Sequence, residues 1–299
     1  MLNAGHFNIF LLASFLVLTG CKTQSQQIDI GLNISLISKH NSIAYTEPYI
    51  AVNPIDSKNL VVGTIKIKDS GWESVVFCSN DAGKSWTERN LPIPDSVSRS
   101  GDPYLAYSDK GALYCTMLGS TQKGMGQLVF KSNDNGVSWS QSAWVSTKSK
   151  WMFDHSTVVI DNNQESPFYG NIYAASHVNY RDENSALLYA AFVSVSNDGG
   201  GHFFLEGIHG STLQNMNNGD AVITSDGTIY FFYFLFMDNN GNWLDKHLLY
   251  VITSTDGGGT FSKPMLVSDE FTAYYPNSTI DRSSKFKDQI YVSWTYTKN

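Results

Sequence analysis

The sequence predicts an all-β chain folded as a β-propeller of four-stranded blades, and three observations carry that expectation. An eight-residue phrase recurs as "SNDAGKSW" (79–86), "SNDNGVSW" (132–139), "SNDGGGHF" (196–203) and "STDGGGTF" (254–261). Around it a longer unit of apolar, strand-like runs recurs at intervals of 55, 52, 66 and 55 residues, counted from positions 47, 102, 154, 220 and 275. Aromatic residues make up 13% of the chain and glycines number 24, a composition weighted to strands and turns. Four strands repeated in tandem at that period mark a propeller blade.

Each unit opens at a turn with an inner strand: "EPYIAVNP" (47–54), "DPYLAYSD" (102–109), "DHSTVVID" (154–161), "DAVITSDG" (220–227) and "PNSTIDRS" (276–283). A second strand follows ("NLVVGTIK", "GALYCTML", "GNIYAASHV", "GTIYFFYFLF", "DQIYVSWTYT"), then a third that runs into the repeated phrase, then a fourth. A lone four-stranded sheet leaves both faces wet. Stacked blades bury both, so a run such as "IYFFYFLF" is apolar at nearly every position instead of alternating. It is too short to cross a membrane as a helix. The long third interval is assigned to a loop around "NYRDENSA" (179–186), outside the strands.

The phrase falls at the hairpin between third and fourth strands. Asp81, Asp134, Asp198 and Asp256 suit a turn in which a carboxylate folds back onto backbone N–H groups, each with its Ser79, Ser132, Ser196 or Ser254 two residues earlier. Gly83, Gly136, Gly200 and Gly258 suit positive φ. Trp86, Trp139, Phe203 and Phe261 suit anchors between strands. The pattern S-x-D-x-G-x-[ST]-[WF] resembles the Asp-box, or BNR repeat, of sialidases and many other propellers, with His202 departing from Ser or Thr in the third copy. Repeated units carry structure, so these boxes are expected to be folding staples on the rim.

Function is expected where the repeats diverge. Glu47, Asp102, Asp154 and Asp220 are read as the first residues of four successive inner strands, with Pro276 and Asn277 in that place in the fifth unit. Equivalent positions form a ring, which predicts four carboxylates at one mouth of the central channel. Crowded carboxylates raise one another's pKa or recruit a cation, and they accept hydrogen bonds from sugar hydroxyls. The alternative is that each acid caps its own turn.

The amino terminus reads separately. "IFLLASFLVL" (9–18) is signal-peptide length, and "LTGC" before Cys21 resembles the bacterial lipobox, although the segment ahead of it lacks Lys and Arg. An uncleaved anchor or a plain secretory signal is the alternative. The expected organisation is residues 1–20 as signal peptide, 21–43 as lipid anchor, linker and N-terminal closing strand (27–38), and 44–299 as propeller, placing the chain in the bacterial cell envelope. Cys78 and Cys115 sit in apolar runs and read as small buried hydrophobes. With no CxxC, no HExxH and scattered histidines, neither metal nor cofactor is expected. A net charge of -7 without a basic cluster argues against nucleic acid, and against any membrane contact besides the lipid.

Residues 44–299 as a whole resemble the sialidase-like propeller superfamily, with "GDPYLAYSDKGALY" and "DRSSKFKDQIYVSWT" similar to a secreted bacterial subgroup. Six blades are usual there, so about five blades, with two strands in the last, imply an incomplete six-bladed propeller; a five-bladed ring with a hybrid last blade is the alternative. The resemblance implies three arginines that clamp a substrate carboxylate, one in a Phe-Arg-Ile-Pro motif, a Tyr nucleophile backed by Glu, and an Asp acid/base. That motif is missing. Arg89, Arg99, Arg181 and Arg282 are the chain's arginines, and none is read at the head of an inner strand. Sialidase chemistry is therefore not supported by the sequence, because Lys replaces bidentate Arg poorly. Two readings stand: binding of a glycan, peptide or cation at the channel mouth, which the sequence favours, and exo-acting glycoside hydrolysis by two ring carboxylates such as Asp102 and Asp154. An inverting pair would need about 6.5–9.5 Å between carboxyls.

Overall fold

The computed structural model describes residues 43–294 except 70, 141–142, 147–150, 239 and 272–275. The expected signal peptide, Cys21 and the strand at 27–38 lie outside the described residues. The first sheet contains β1 (Ala44–Val52), β2 (Leu60–Lys68), β3 (Gly71–Ser79) and β4 (Thr87–Asn90). The second contains β5 (Arg99–Tyr107), β6 (Leu113–Thr121), β7 (Gly124–Ser132) and β8 (Ala143–Ser146). The third is built from β9 (Met152–Ile160), β10 (Ile172–Arg181), β11 (Leu187–Ser196) and β12 (Phe204–Thr212). The fourth has β13 (Met216–Ile223), β14 (Ile229–Met237), β15 (Trp243–Ser254) and β16 (Met265–Phe271), and β17 (Asn277–Ile280) pairs with β18 (Ile290–Ser293).

Each four-stranded sheet is an antiparallel meander in chain order, and β1, β5, β9, β13 and β17 lie side by side as the inner strands. The described sheets form an arc of blades that does not close. Apolar layers between blades hold it. Val61 and Val76 pack with Met117 and Phe130 across the first junction. Tyr114 and Val129 meet Phe153 and Phe192 across the second. Val193 meets Phe231 across the third, and Phe232 and Phe234 reach Ile280 and Ile290 across the fourth. Each fully buried Phe contributes about 1.5–3 kcal/mol, which makes these layers the main source of stability.

Two sequence readings shift. Every four-stranded blade's inner strand begins two to four residues earlier than read, so the acids stand inside strands and not at their heads. The segment 179–186 is not all loop: Asn179, Tyr180 and Arg181 extend β10, paired in register as far as Arg181 opposite Leu187. Arg181 also turns its guanidinium to the Ser185 carbonyl at 2.8 Å, closing a tight hairpin that the charged composition disguised.

The four boxes share one hydrogen-bond pattern. The hydroxyls of Ser79, Ser132, Ser196 and Ser254 each donate to Oδ1 of the box Asp at 2.8 Å. Each serine also accepts the N–H of Gly83, Gly136, Gly200 or Gly258, at 2.8 to 3.0 Å. The same Asp oxygen accepts the N–H four residues on, of Ser85, Ser138, His202 or Thr260. In the third box the His202 ring takes over the missing hydroxyl's role, with Nδ1 at 2.7 Å from Asp198 Oδ2. The box glycines have φ between 81° and 90°, where any Cβ is strained, and at Gly136 it would meet Cys78 Sγ at 2.8 Å. Cys78 and Cys115 are free thiols, and burial pushes both up, Cys78 to about 11.

Candidate functional site

The inner strands of the four four-stranded blades bulge at the same depth. Two residues face one partner at Glu47–Pro48 in β1, Asp102–Pro103 in β5, His155–Ser156 in β9 and Gly219–Asp220 in β13. Glu47, Asp102 and His155 each have a φ of 52°, left-handed backbone that costs a non-glycine residue about 1–3 kcal/mol. The pairing corrects the ring read from sequence. Glu47 and Asp102 are equivalent, but the third member is His155; Asp154 precedes its bulge by one residue, and Asp220 holds the second position of its own.

The bulges converge on two adjoining cavities. One of about 270 Å³ is lined by Glu47, Asp102, His155 and Asp220, and also by Pro276 and Asn277 of the fifth unit. The other, of about 400 Å³, is lined by Asp102 and Asp154 and also by Trp72 and Arg99. Arg99 lies over the Trp72 ring, 4.7 Å from its centroid. No box Asp lines either cavity. All four inner-strand carboxylates thus border this pair of cavities, though not in one register.

Asp102 and Asp154 meet at a shared donor. The His155 backbone N–H points to Asp102 Oδ2 at 3.0 Å and Asp154 Oδ1 at 3.1 Å. Their nearest oxygens therefore lie no more than about 6 Å apart, short of the separation an inverting pair needs. Asp102 is raised above the ordinary carboxylate range, first by burial, against the pull of His155 and with its hydrogen bond to Glu47 adding to the rise. Asp154 is held low: burial opposes this, but the His155 hydrogen bond and the two neighbouring imidazoles outweigh it.

Asp220 sits in a separate arm. Tyr49 donates to Tyr104 Oη at 2.7 Å, and Tyr104 donates to Asp220 Oδ1 at 2.9 Å. The tyrosine rings stack at 3.7 Å, and the Ser278 N–H reaches Asp220 Oδ2 at 3.2 Å, so the chain of bonds ties the first, second, fourth and fifth units together. Burial raises Asp220 and raises Tyr104 well above the ordinary phenol.

Several site residues were missed in the sequence. Arg99 does head an inner strand, β5, contrary to the reading above, because β5 starts three residues before Asp102. It has no arginine partners: Arg89 is on β4, Arg181 closes its hairpin, and Arg282 donates to the Ile223 carbonyl at 2.7 Å. The three-arginine clamp is not assembled among the described residues. His155, His177 and Asn217 also meet at the site. His177 stands opposite Asp154 in the β9–β10 ladder, and a histidine inside the apolar run "IYAASHV" was the available signal. The shared Tyr of "EPY" and "DPY" was the signal for the tyrosine pair. Asp154, His155 and His177 place three ligand-type atoms within 4.8 Å of one another, so two of the histidines that are scattered in sequence meet in space.

An arc of four-stranded blades stapled by Asp-box hairpins, with acids at the inner bulges, defines a sialidase-like propeller. Residues 38–287 match the BNR repeat-like domain family, and the chain belongs to it. Comparison with curated protein sequences finds no match. Among solved structures, a protein of unknown function from Dyadobacter fermentans is similar with a TM-score of 0.60 and 16% identity, over 86% of this chain and 81% of that one. The intramolecular trans-sialidase of Ruminococcus gnavus is similar with a TM-score of 0.52 and 11% identity, over 76% of this chain and 71% of that one. An α-L-arabinofuranosidase from Fusarium graminearum has a TM-score of 0.51 and 14% identity, over 78% of this chain and 68% of that one. At these identities the likeness is one of fold.

Proposed function

We propose that this protein binds a carbohydrate at the two adjoining cavities, as a secreted propeller held to the bacterial cell envelope by a lipid on Cys21. One observation carries the reading: Asp102 and Asp154 line one cavity together with the stacked Trp72–Arg99 pair. Carboxylates accept sugar hydroxyls, an aromatic ring takes the apolar face of a pyranose, and a guanidinium suits an acidic substituent. The solved trans-sialidase and arabinofuranosidase of similar fold support a saccharide as the ligand class.

Exo-acting glycoside hydrolysis is a second reading, favoured by the Asp102 and Asp154 oxygens held within about 6 Å by one N–H. A glycan array and a panel of aryl glycosides, applied to the purified full chain, separate the two. Saturable binding without turnover, weakened by Trp72→Ala, supports binding alone. Turnover abolished by Asp102→Asn establishes hydrolysis. A folded chain that neither retains nor cleaves any saccharide sinks both.

A further inference from the structure

The bulge in β9 does something an ordinary strand cannot. Side chains along a regular strand alternate between faces, whereas a bulge breaks the alternation and re-aims one residue. Asp154 and His155, adjacent in sequence, therefore present their polar atoms to the same place: His155 Nδ1 is 3.3 Å from Asp154 Oδ2. From the neighbouring strand, His177 brings Nε2 to 3.7 Å from the same oxygen, its side chain only 6% exposed. The amide of Asn217, from the next blade, lies 2.9 Å from His177 Nδ1 through Oδ1 and 3.0 Å from His155 Nδ1 through Nδ2.

Asn217 Oδ1 accepts from His177 Nδ1, which leaves the His177 Nε2 lone pair turned to the Asp154 carboxylate. His155 Nδ1 lies between Asn217 Nδ2 and the Asp154 carboxylate, so polar atoms of three side chains converge on one point. Ligation uses the lone pairs of both imidazoles, and a bound cation displaces any proton that His155 shares with Asp154. With metal–ligand bonds of about 2.0–2.1 Å, the ligand atoms of a tetrahedral site stand roughly 3.3–3.4 Å apart. Two of the edges here are 3.3 and 3.7 Å, and no edge exceeds 4.8 Å. An outer partner on the far ring nitrogen, as Asn217 is to His177, is the usual support of a ligating imidazole.

We propose that Asp154, His155 and His177 form a binding site for a divalent cation of the zinc type. Two imidazoles and one carboxylate are a borderline donor set that suits such ions better than Ca²⁺ or Mg²⁺, which prefer oxygen ligands. Binding draws His155 Nδ1 away from Asn217 and leaves the amide to orient His177 alone. The remaining coordination positions open to the cavities, since Asp154 borders one and His155 the other. Glu47 and Asp102, beside His155, add negative potential that favours a cation there. The site stands on its own geometry and does not depend on the carbohydrate reading.

Titration calorimetry of ZnCl₂ into the EDTA-treated full chain tests this, with Co²⁺ absorption reporting the ligand set. The expected result is one Zn²⁺ per chain, bound at least about tenfold more weakly by Asp154→Asn and His177→Gln, and about 10–100-fold more weakly by Asn217→Ala. His202→Ser, which alters the other Asp–His contact at Asp198, leaves Zn²⁺ affinity unchanged if the site is the one named. His177 is buried and its variant is the one at risk of misfolding; Asp154, half exposed, keeps the test decisive. A wild-type chain that takes up no Zn²⁺, or a folded Asp154→Asn chain that binds it as wild type does, overturns the proposal.

Discussion

His155 donates its backbone N–H to Asp102 Oδ2 at 3.0 Å, joining the third blade to the second where both inner strands bulge. This bond asks only for an acceptor at position 102. Asp102→Asn, which keeps one carbonyl oxygen and tolerates the left-handed φ, should unfold near the wild-type urea midpoint, whereas Asp102→Ala should lose about 1 kcal/mol, because the bond to the second blade goes while Asp154 Oδ1 still accepts the N–H. Equal losses for the two variants would show that charge, not acceptance, is what the fold needs.

The boxes should behave as staples. Asp134→Ala removes the acceptor of the Ser132 hydroxyl and the Ser138 N–H, but water reaches the turn, so the expected cost is about 1 kcal/mol. Gly136→Ala meets both a φ of 82° and the Cys78 sulfur, and should cost more, about 1–3 kcal/mol. Neither should change the ligand affinity of the folded fraction. A loss of affinity at an unshifted melting temperature would place the boxes in the site.

Acid should loosen the boxes. Asp81 and Asp256 are lowered from 3.8 to about 2, chiefly by hydrogen bonds from Ser85 and Thr260. A depressed folded-state pKa contributes stability that is present above 3.8 and lost as pH falls towards 2. Melting temperature should fall across that window, and Asp81→Asn should flatten the fall. A melting temperature indifferent to pH there would contradict the staple role.

The tyrosine relay is directional. Tyr104→Phe strips the buried Asp220 of a donor and should cost about 1–3 kcal/mol, while Tyr49→Phe removes only the outer donor and should cost less. Denaturant unfolding of the two variants checks the order, and a reversed order would mean that the stacked rings, not the bonds, hold this corner.

Cys21→Ser should move the mature protein from the detergent phase to the aqueous phase on Triton X-114 partition. Continued detergent partition of a processed Cys21→Ser chain would rule out the lipid anchor proposed here.

The sequence by itself determined the blades and their staples. Strand order and box geometry depend on contacts made within about twenty residues, between neighbours in a meander, and such contacts leave a readable period. Hence the box residues, the four strands per unit and the inner position of Glu47, Asp102, Asp154 and Asp220 were all legible. The tertiary structure decided which of those acids are equivalent. A bulge's phase is set by pairing with the next strand, and one residue of slip exchanges the faces of a strand, so His155 stands where Asp154 was expected. It also decided the company they keep. His177 and Asn217 come from a second strand and from the next blade, and Arg99 reaches the cavity only because β5 begins at it. No local period records a meeting across blades, because it is made by the angle at which one packed sheet sets the next.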